Sequence, residues 1–212
     1  MKEILDKLFD ELEWREKNNS FFGYNSAQGF AWDNNLIFNY GASKFVFTRS
    51  EWNYVIKMPR TEAIAREDFI DYIDLEVKNY EIANRMGIEK ILMPNTCVGW
   101  INYHGKTVKI YQQPKYTRSW FLFDDGLADV LKKRMHYNWN EIHKIMRNFF
   151  DYGYGTRLAD AWVGRIVQLY GMNFLRKVAE WTNECAIDDL HTGNYGVLEH
   201  KPVIIDYAGY LG

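Results

Sequence analysis

The chain has 212 residues and a mass of 25.2 kDa, enough for a full hydrophobic core without disulfide or metal staples. Its 26 basic and 28 acidic residues leave a formal charge of −2, so no global field recruits nucleic acid or an anionic membrane. Aromatic residues reach 17% and prolines number only 4, which excludes a disordered or collagen-like chain.

The N-terminal segment Met1-Lys2-Glu3-Ile4-Leu5-Asp6-Lys7-Leu8 alternates charge with apolar residues, so it does not read as a signal peptide. Residues 2–16 place Ile4, Leu5, Leu8, Phe9 and Leu12 at helical spacing and predict an amphipathic helix. Residues 18–34, rich in Asn, Gly and Ser, read as a loop. Three short segments rich in aromatic and β-branched residues follow: Leu36–Tyr40, Lys44–Thr48 and Asn53–Met58. They predict an antiparallel meander, with Pro59 stopping its third strand.

Residues 66–86 carry the longest helical pattern of the first half, closed by Gly87. Phe69, Ile73, Tyr80 and Ala83 form its apolar stripe, and Glu76 falls in the middle of that stripe. A carboxylate there is costly unless it reaches water or meets a buried cation. Thr96–Tyr103 and Thr107–Gln113 predict two more strands joined at His104-Gly105-Lys106. Helices are then expected near 126–135, 138–150, 157–169 and 172–185, with Asn138 or Asn140 and Asn173 as caps. A final hairpin pairs Tyr195–Leu198 with Val203–Asp206. No apolar run approaches the ~20 residues that cross a bilayer, so no membrane partner is expected. Cys97 and Cys185 are too few for a zinc site and read as buried thiols of a cytoplasmic protein.

The chemistry concentrates in the last 25 or so residues. A polar loop carries Asp188, Asp189, His191 and Asn194, and a short strand pair then returns to Asp206 after Val203-Ile204-Ile205. Asn194 and Asp206 on adjacent strand ends offer a neutral and an anionic oxygen, suited to a Mg²⁺ ion that keeps several waters. Asp189, beside that metal, could accept a proton from a hydroxyl. The plainer alternatives are a turn role for Asn194, a strand-end cap for Asp206, a solvated acid at Asp188 and a loop-bracing role for His191. The run Lys132-Lys133-Arg134 reads as a solvated helix end. The basic and aromatic residues interleaved over 106–120 read as strand alternation, so nucleic acid is not expected as a partner.

The segment Asp189-Leu190-His191-Thr192-Gly193-Asn194, followed by a short hairpin and Ile204-Ile205-Asp206-Tyr207, resembles the catalytic loop and metal-binding Asp of the protein-kinase-like superfamily. His191 stands where protein kinases carry Lys, a form closer to small-molecule kinases of the aminoglycoside and methylthioribose type. Short kinase-like proteins of phage and prophage also look similar. The resemblance implies an α+β, two-lobed fold in one domain over 1–212. Residues 1–34 would be an N-terminal helix and loop, 35–113 an N-lobe with a five-stranded antiparallel sheet and one helix, and 114–212 a truncated helical C-lobe.

It further implies that Lys57 holds the phosphates of ATP with Glu76 as its helix partner, Glu81 being the rival. Gly41, Ser43 and Lys44 would lie in the phosphate-covering loop, and Gln112 and Gln113 at the adenine hinge. Asn194 and Asp206 would hold Mg²⁺, with Asp189 as base. The implied activity is an ATP- and Mg²⁺-dependent phosphotransferase acting on an unknown small-molecule or protein acceptor. A nucleotide-binding pseudokinase that occupies a partner protein, or an AMP transferase, are the alternatives. Departures from the family pattern are specific: Ile187-Asp188 stands where protein kinases have His-Arg, the glycine after Asp206-Tyr207-Ala208 comes one place late, and only one glycine marks the phosphate loop. With six residues after Asp206, no peptide-cradling platform is expected.

Overall fold

In a computed structural model of the chain, the structure describes residues 2–64, 66, 69–118, 139–146, 156–187, 190 and 193–208. The fold is mixed α+β. The chain divides into two compact units, Met1–Leu75 with Pro94–Lys115 and Glu76–Met93 with Tyr116–Gly212. The expected boundaries at 34 and 113 differ from this division: residues 1–34 group with the sheet, and 76–93 group with the second unit.

The first unit is built on strands β1 (Ile37–Tyr40), β2 (Lys44–Thr48), β3 (Tyr54–Pro59), β4 (Thr96–Tyr103) and β5 (Lys106–Pro114). They form one antiparallel sheet in the order β1-β2-β3-β5-β4. The β4–β5 turn puts His104 and Gly105 at positive φ (48° and 75°), the twist that a two-residue hairpin demands. Pro59 remains inside β3, opposite Lys44, and β5 runs on through Pro114. Helix α1 (Lys2–Lys17) buries Ile4, Leu5, Leu8 and Leu12, as its pattern predicts. Its Phe9 comes against Gly99 of β4 so closely that a Cβ at Gly99 would lie 2.4 Å from the ring.

Residues 18–34 correct the loop expectation, because Tyr24–Asp33 is a helix, α2. Its composition hid a short apolar stripe, Ala27, Phe30 and Ala31, that packs into the core with Phe22, Phe45 and Phe47. Tertiary burial overrides the weak propensity of Asn, Ser and Gly. The helix start is held from outside, by the Glu62 carboxylate accepting the Tyr24 amide at 2.8 Å.

Helix α3 (Tyr72–Met86) starts six residues later than expected, just after Asp71. The Asp71 carboxylate accepts the amides of Ile73 and Asp74 at 2.9 and 3.2 Å, a side-chain cap that overrules the apolar signal from Phe69. Its C-terminus ends as predicted, with Gly87 at φ 73° and the Ile88 amide reaching back to the Ala83 carbonyl. The division between units falls within this helix.

The second unit contains α4 (Trp139–Met146), α5 (Thr156–Tyr170) and α6 (Met172–Glu184), with strands β6 (Thr117–Arg118), β7 (Tyr195–Leu198) and β8 (Lys201–Ile204). Its core gathers Trp162, Val163, Ile166, Leu175, Val178 and Trp181 around the hairpin residues Tyr195, Val197 and Ile204. Asn173 is not the expected cap: Gly171 precedes α6, and Asn173 lies inside its first turn, accepting Arg176 Nη1 at 2.6 Å. Asn140 likewise lies inside α4, while Asn138 and the helix expected at 126–135 fall outside the described residues.

The final hairpin turns earlier than predicted, at Glu199-His200, both at positive φ (49° and 64°). Its second strand is therefore Lys201–Ile204 rather than Val203–Asp206. Pro202 fits because β8 is the outer strand in the order β6-β7-β8. Among the described residues, no helix is long and apolar enough to cross a membrane.

Candidate functional site

Asn194 precedes β7 by one residue, and Asp206 follows the end of β8 by two. The hairpin register pairs Tyr195 with Ile204, which returns the two residues to the same end of the ribbon. The Asn194 carbonyl accepts the amides of Ile205 at 2.8 Å and of Asp206 at 3.4 Å. The amide and carboxylate predicted to act together thus hang from one hydrogen-bonded junction, and both residues are half-buried. Asp188, Asp189 and His191 lie outside the described residues.

The segment around Asp206 is held at several points. The Ile204 carbonyl accepts the Met93 amide at 2.9 Å, beside a parallel bridge between Leu92 and Ile204. The Tyr207 hydroxyl donates to the Met93 carbonyl at 2.7 Å. Burial holds that phenol well above the ordinary tyrosine range, and the negative charges of Glu76 and Asp206 act in the same direction. The carbonyls of Tyr207 and Ala208 both accept from Asn79 Nδ2, at 2.8 and 3.2 Å. Reading the sequence missed Asn79, although the signal was there: it lies three residues after Glu76 on the same buried face of α3, polar where the stripe is apolar.

Lys57 sits in the central strand of the first unit's sheet, between Val46 of β2 and Tyr111 of β5, and is only 5% exposed. Glu76, in the second unit, is fully buried, which decides against a shallow stripe. Glu81 is exposed, as its place off the stripe predicts. Gly41 and Ser43 lie in the three-residue connection from β1 to β2, which the Gly41 amide closes on the Lys44 carbonyl at 3.0 Å. The Ser43 carbonyl accepts the Arg60 amide at 2.9 Å, and Lys44 is buried at the start of β2. Gln112 and Gln113 pair with Ile56 and Val55 inside the β3–β5 ladder rather than beyond it. The β4 ladder ends at the Thr96–Gln112 pair, leaving Gln113 and Pro114 laddered to β3.

The cysteine expectation is half corrected: Cys97 is exposed, because the β4 bulge between Cys97 and Gly99 turns it out of the core. Cys185 is buried, and burial pushes its thiol up to about 11. Among the described residues no three His, Cys, Asp or Glu side chains converge on a metal position. The Asn194–Asp206 pair offers two oxygen-bearing side chains, which fits an ion such as Mg²⁺ that retains most of its water and not one that needs a full protein cage. A cleft of about 360 Å³ opens along α1 and α2, lined by Lys7, Glu11, Arg15, Ser26, Gly29, Phe30, Asp33 and Asn34. None of the predicted site residues lines it. No protein-family model matches this chain, and no match was found among curated proteins.

Proposed function

We propose that the chain is an ATP- and Mg²⁺-dependent phosphotransferase with a protein-kinase-like fold, acting on an alcohol-bearing small molecule. The observation that carries the reading is the hydrogen-bonded junction of Asn194 with Ile205 and Asp206, which brings a neutral and an anionic oxygen donor to one hairpin end. A buried lysine in the central strand of an antiparallel sheet and a fully buried glutamate on a helix add to it. Such charges are costly to bury without a counterpart, so their retention suits a role in which charge is needed.

In this reading Asp206 and Asn194 hold Mg²⁺, Lys57 offsets phosphate charge, Glu76 orients Lys57, and Asp189 accepts the proton of the acceptor hydroxyl. The bound metal and nucleotide supply the phosphoryl group and neutralise the charge it spreads in transfer. The protein contributes position and fixed charge rather than covalent chemistry. Gly41, Ser43 and Lys44 cover the phosphates in this reading, while Gln112 and Gln113, laddered to their neighbouring strands, do not keep the adenine role through their backbones.

A second reading, a nucleotide-binding pseudokinase that occupies a partner protein, draws on the short, closed Gly41–Ser43 connection, which offers few open amides to phosphate. An AMP transferase would use the same residues with the nucleotide reversed, and a phage origin fits either. Thermal unfolding with ATP and Mg²⁺ tests the first reading. Ligand at about 100 times its Kd should add about 2.7 kcal/mol, only when Mg²⁺ is present. Asp206→Asn should abolish the Mg²⁺-dependent part and lower turnover on any acceptor by roughly 10³-fold. A variant that keeps near wild-type turnover removes Asp206 from the metal role. Nucleotide binding without transfer to any acceptor would favour the pseudokinase.

A further inference from the structure

We infer that Asn79 is the positioning residue that fixes the Asp206 carboxylate for metal binding, an inference that rests on the metal role proposed above. Asn79 is 3% exposed, and its Nδ2 spends both protons on consecutive carbonyls, those of Tyr207 and Ala208. Its own backbone carbonyl accepts the indole N–H of Trp181 at 2.9 Å, which ties this turn of α3 to α6. On the other side of Asp206, the amides of Ile205 and Asp206 itself are taken by the Asn194 carbonyl.

The residue proposed to hold the ion therefore lies between two backbone anchors, one made by Asn194 and one by Asn79. Among the described residues beyond β8 no ladder defines the path of the chain, so these bonds and the Tyr207–Met93 bond hold the backbone that carries the carboxylate. An amide is the side chain for this task. Two parallel carbonyls need two donors on one atom, which a hydroxyl lacks. A lysine would add a buried charge beside the metal and compete with it. Partners that orient a ligating carboxylate matter to the ion almost as the ligand does, with losses of about 10–100-fold in affinity when they are removed.

The test uses the full chain and Mn²⁺ as the probe ion, followed by electron paramagnetic resonance in the presence of a nonhydrolysable ATP analogue. Asn79→Leu keeps the volume and removes both donors, and Asn79→Ser serves if that variant folds poorly. Trp181→Phe is the control, since it removes the bond to the Asn79 backbone and leaves the bonds to Tyr207 and Ala208. The expected result is a loss of Mn²⁺ affinity of about 10-fold or more in the Asn79 variants. Trp181→Phe should keep wild-type affinity even though its melting temperature falls. Equal affinity in wild type and Asn79→Leu overturns the inference. So does a loss in Trp181→Phe as large as in the Asn79 variants, which would make the effect one of stability alone. Wild type that takes up no Mn²⁺ overturns the metal role itself, and the positioning role falls with it. That outcome is distinguishable because the failure then appears before any substitution is made.

Discussion

Each unit of the molecule carries one polar cluster built from α3, and the two are made differently. In the first unit, the first turn of α3 presents Asp74 to Lys109, whose Nζ donates to both carboxylate oxygens at 2.7 Å, and to the Tyr111 hydroxyl. Asp71 caps the helix beside them. In the second unit, the same helix presents Asn79 to two backbone carbonyls and accepts an indole N–H. The first cluster is half-buried and ionic, and the second is buried and neutral. Charge tolerates loose geometry and responds to pH and salt, whereas an amide demands geometry and responds to neither. Of these two clusters, the one that water still reaches is ionic and the one it does not reach is held by a neutral amide.

The largest expected effect breaks the neutral cluster. Asn79→Leu strands two buried carbonyls, each costing about 1–3 kcal/mol, so urea unfolding should show a loss of roughly 2–4 kcal/mol. That loss should be the same at pH 5 and pH 8, because no group in the cluster titrates between them. A loss that halves on acidification would show that the cluster depends on a nearby charge and would erase the contrast.

The ionic cluster should behave in the opposite way. Burial raises the Asp71 carboxyl to about 6, and the neighbouring Asp74 charge adds to the rise against the helix amides and Lys109. The folded protein then holds this proton more tightly than the unfolded chain, whose value is near 3.8. Stability from this group is full below about pH 4 and is lost as pH rises through about 6. The span corresponds to about 3 kcal/mol, reduced where water reaches the carboxyl. Asp71→Asn keeps a good cap and removes the titration. It should match wild type near pH 4 and exceed it by about 1–2 kcal/mol at pH 8. Parallel stability curves for the two proteins would rule out the effect.

The contrast also explains what could be read in advance. The five strands were legible because Phe45, Phe47, Val55 and Ile56 alternate or cluster in ways only a sheet buries. Helix α2 was not, since Ala27, Phe30 and Ala31 are too few to outweigh the Asn, Ser and Gly around them. Glu76 was conspicuous as a charge on an apolar stripe, and it is buried. Asn79 carries no charge, so the same stripe hid it, although its burial needs partners just as surely. The start of α3 was misplaced because Phe69 fits the helical spacing, while the cap that decides the boundary is Asp71. Asn194 and Asp206 were legible as a pair because a two-strand ribbon must return its ends together. The turn inside that ribbon was not, since Glu199 and His200 adopt left-handed backbone without a glycine to announce it.

The smallest effect sharpens the ionic side. Lys109 and Asp74 are each about a third exposed on their side chains, so their bond is partly screened. Hydrogen bonding to Asp74 is what raises the Lys109 ammonium above its ordinary range, so Lys109 stays charged across the accessible pH range. Lys109→Met preserves the aliphatic stem against the sheet and removes only the charge. Tyr111 still donates to Asp74, so the carboxylate keeps one partner. The expected cost is about 0.5–1 kcal/mol in low salt. In 1 M NaCl, where the Debye length falls to about 3 Å, that cost should shrink by about half. Double-mutant cycles with Asp74→Asn at both salt concentrations measure it. A coupling that survives high salt unchanged would place this pair, despite its exposure, in the same salt-insensitive class as the Asn79 cluster, and the contrast between the two clusters would no longer hold.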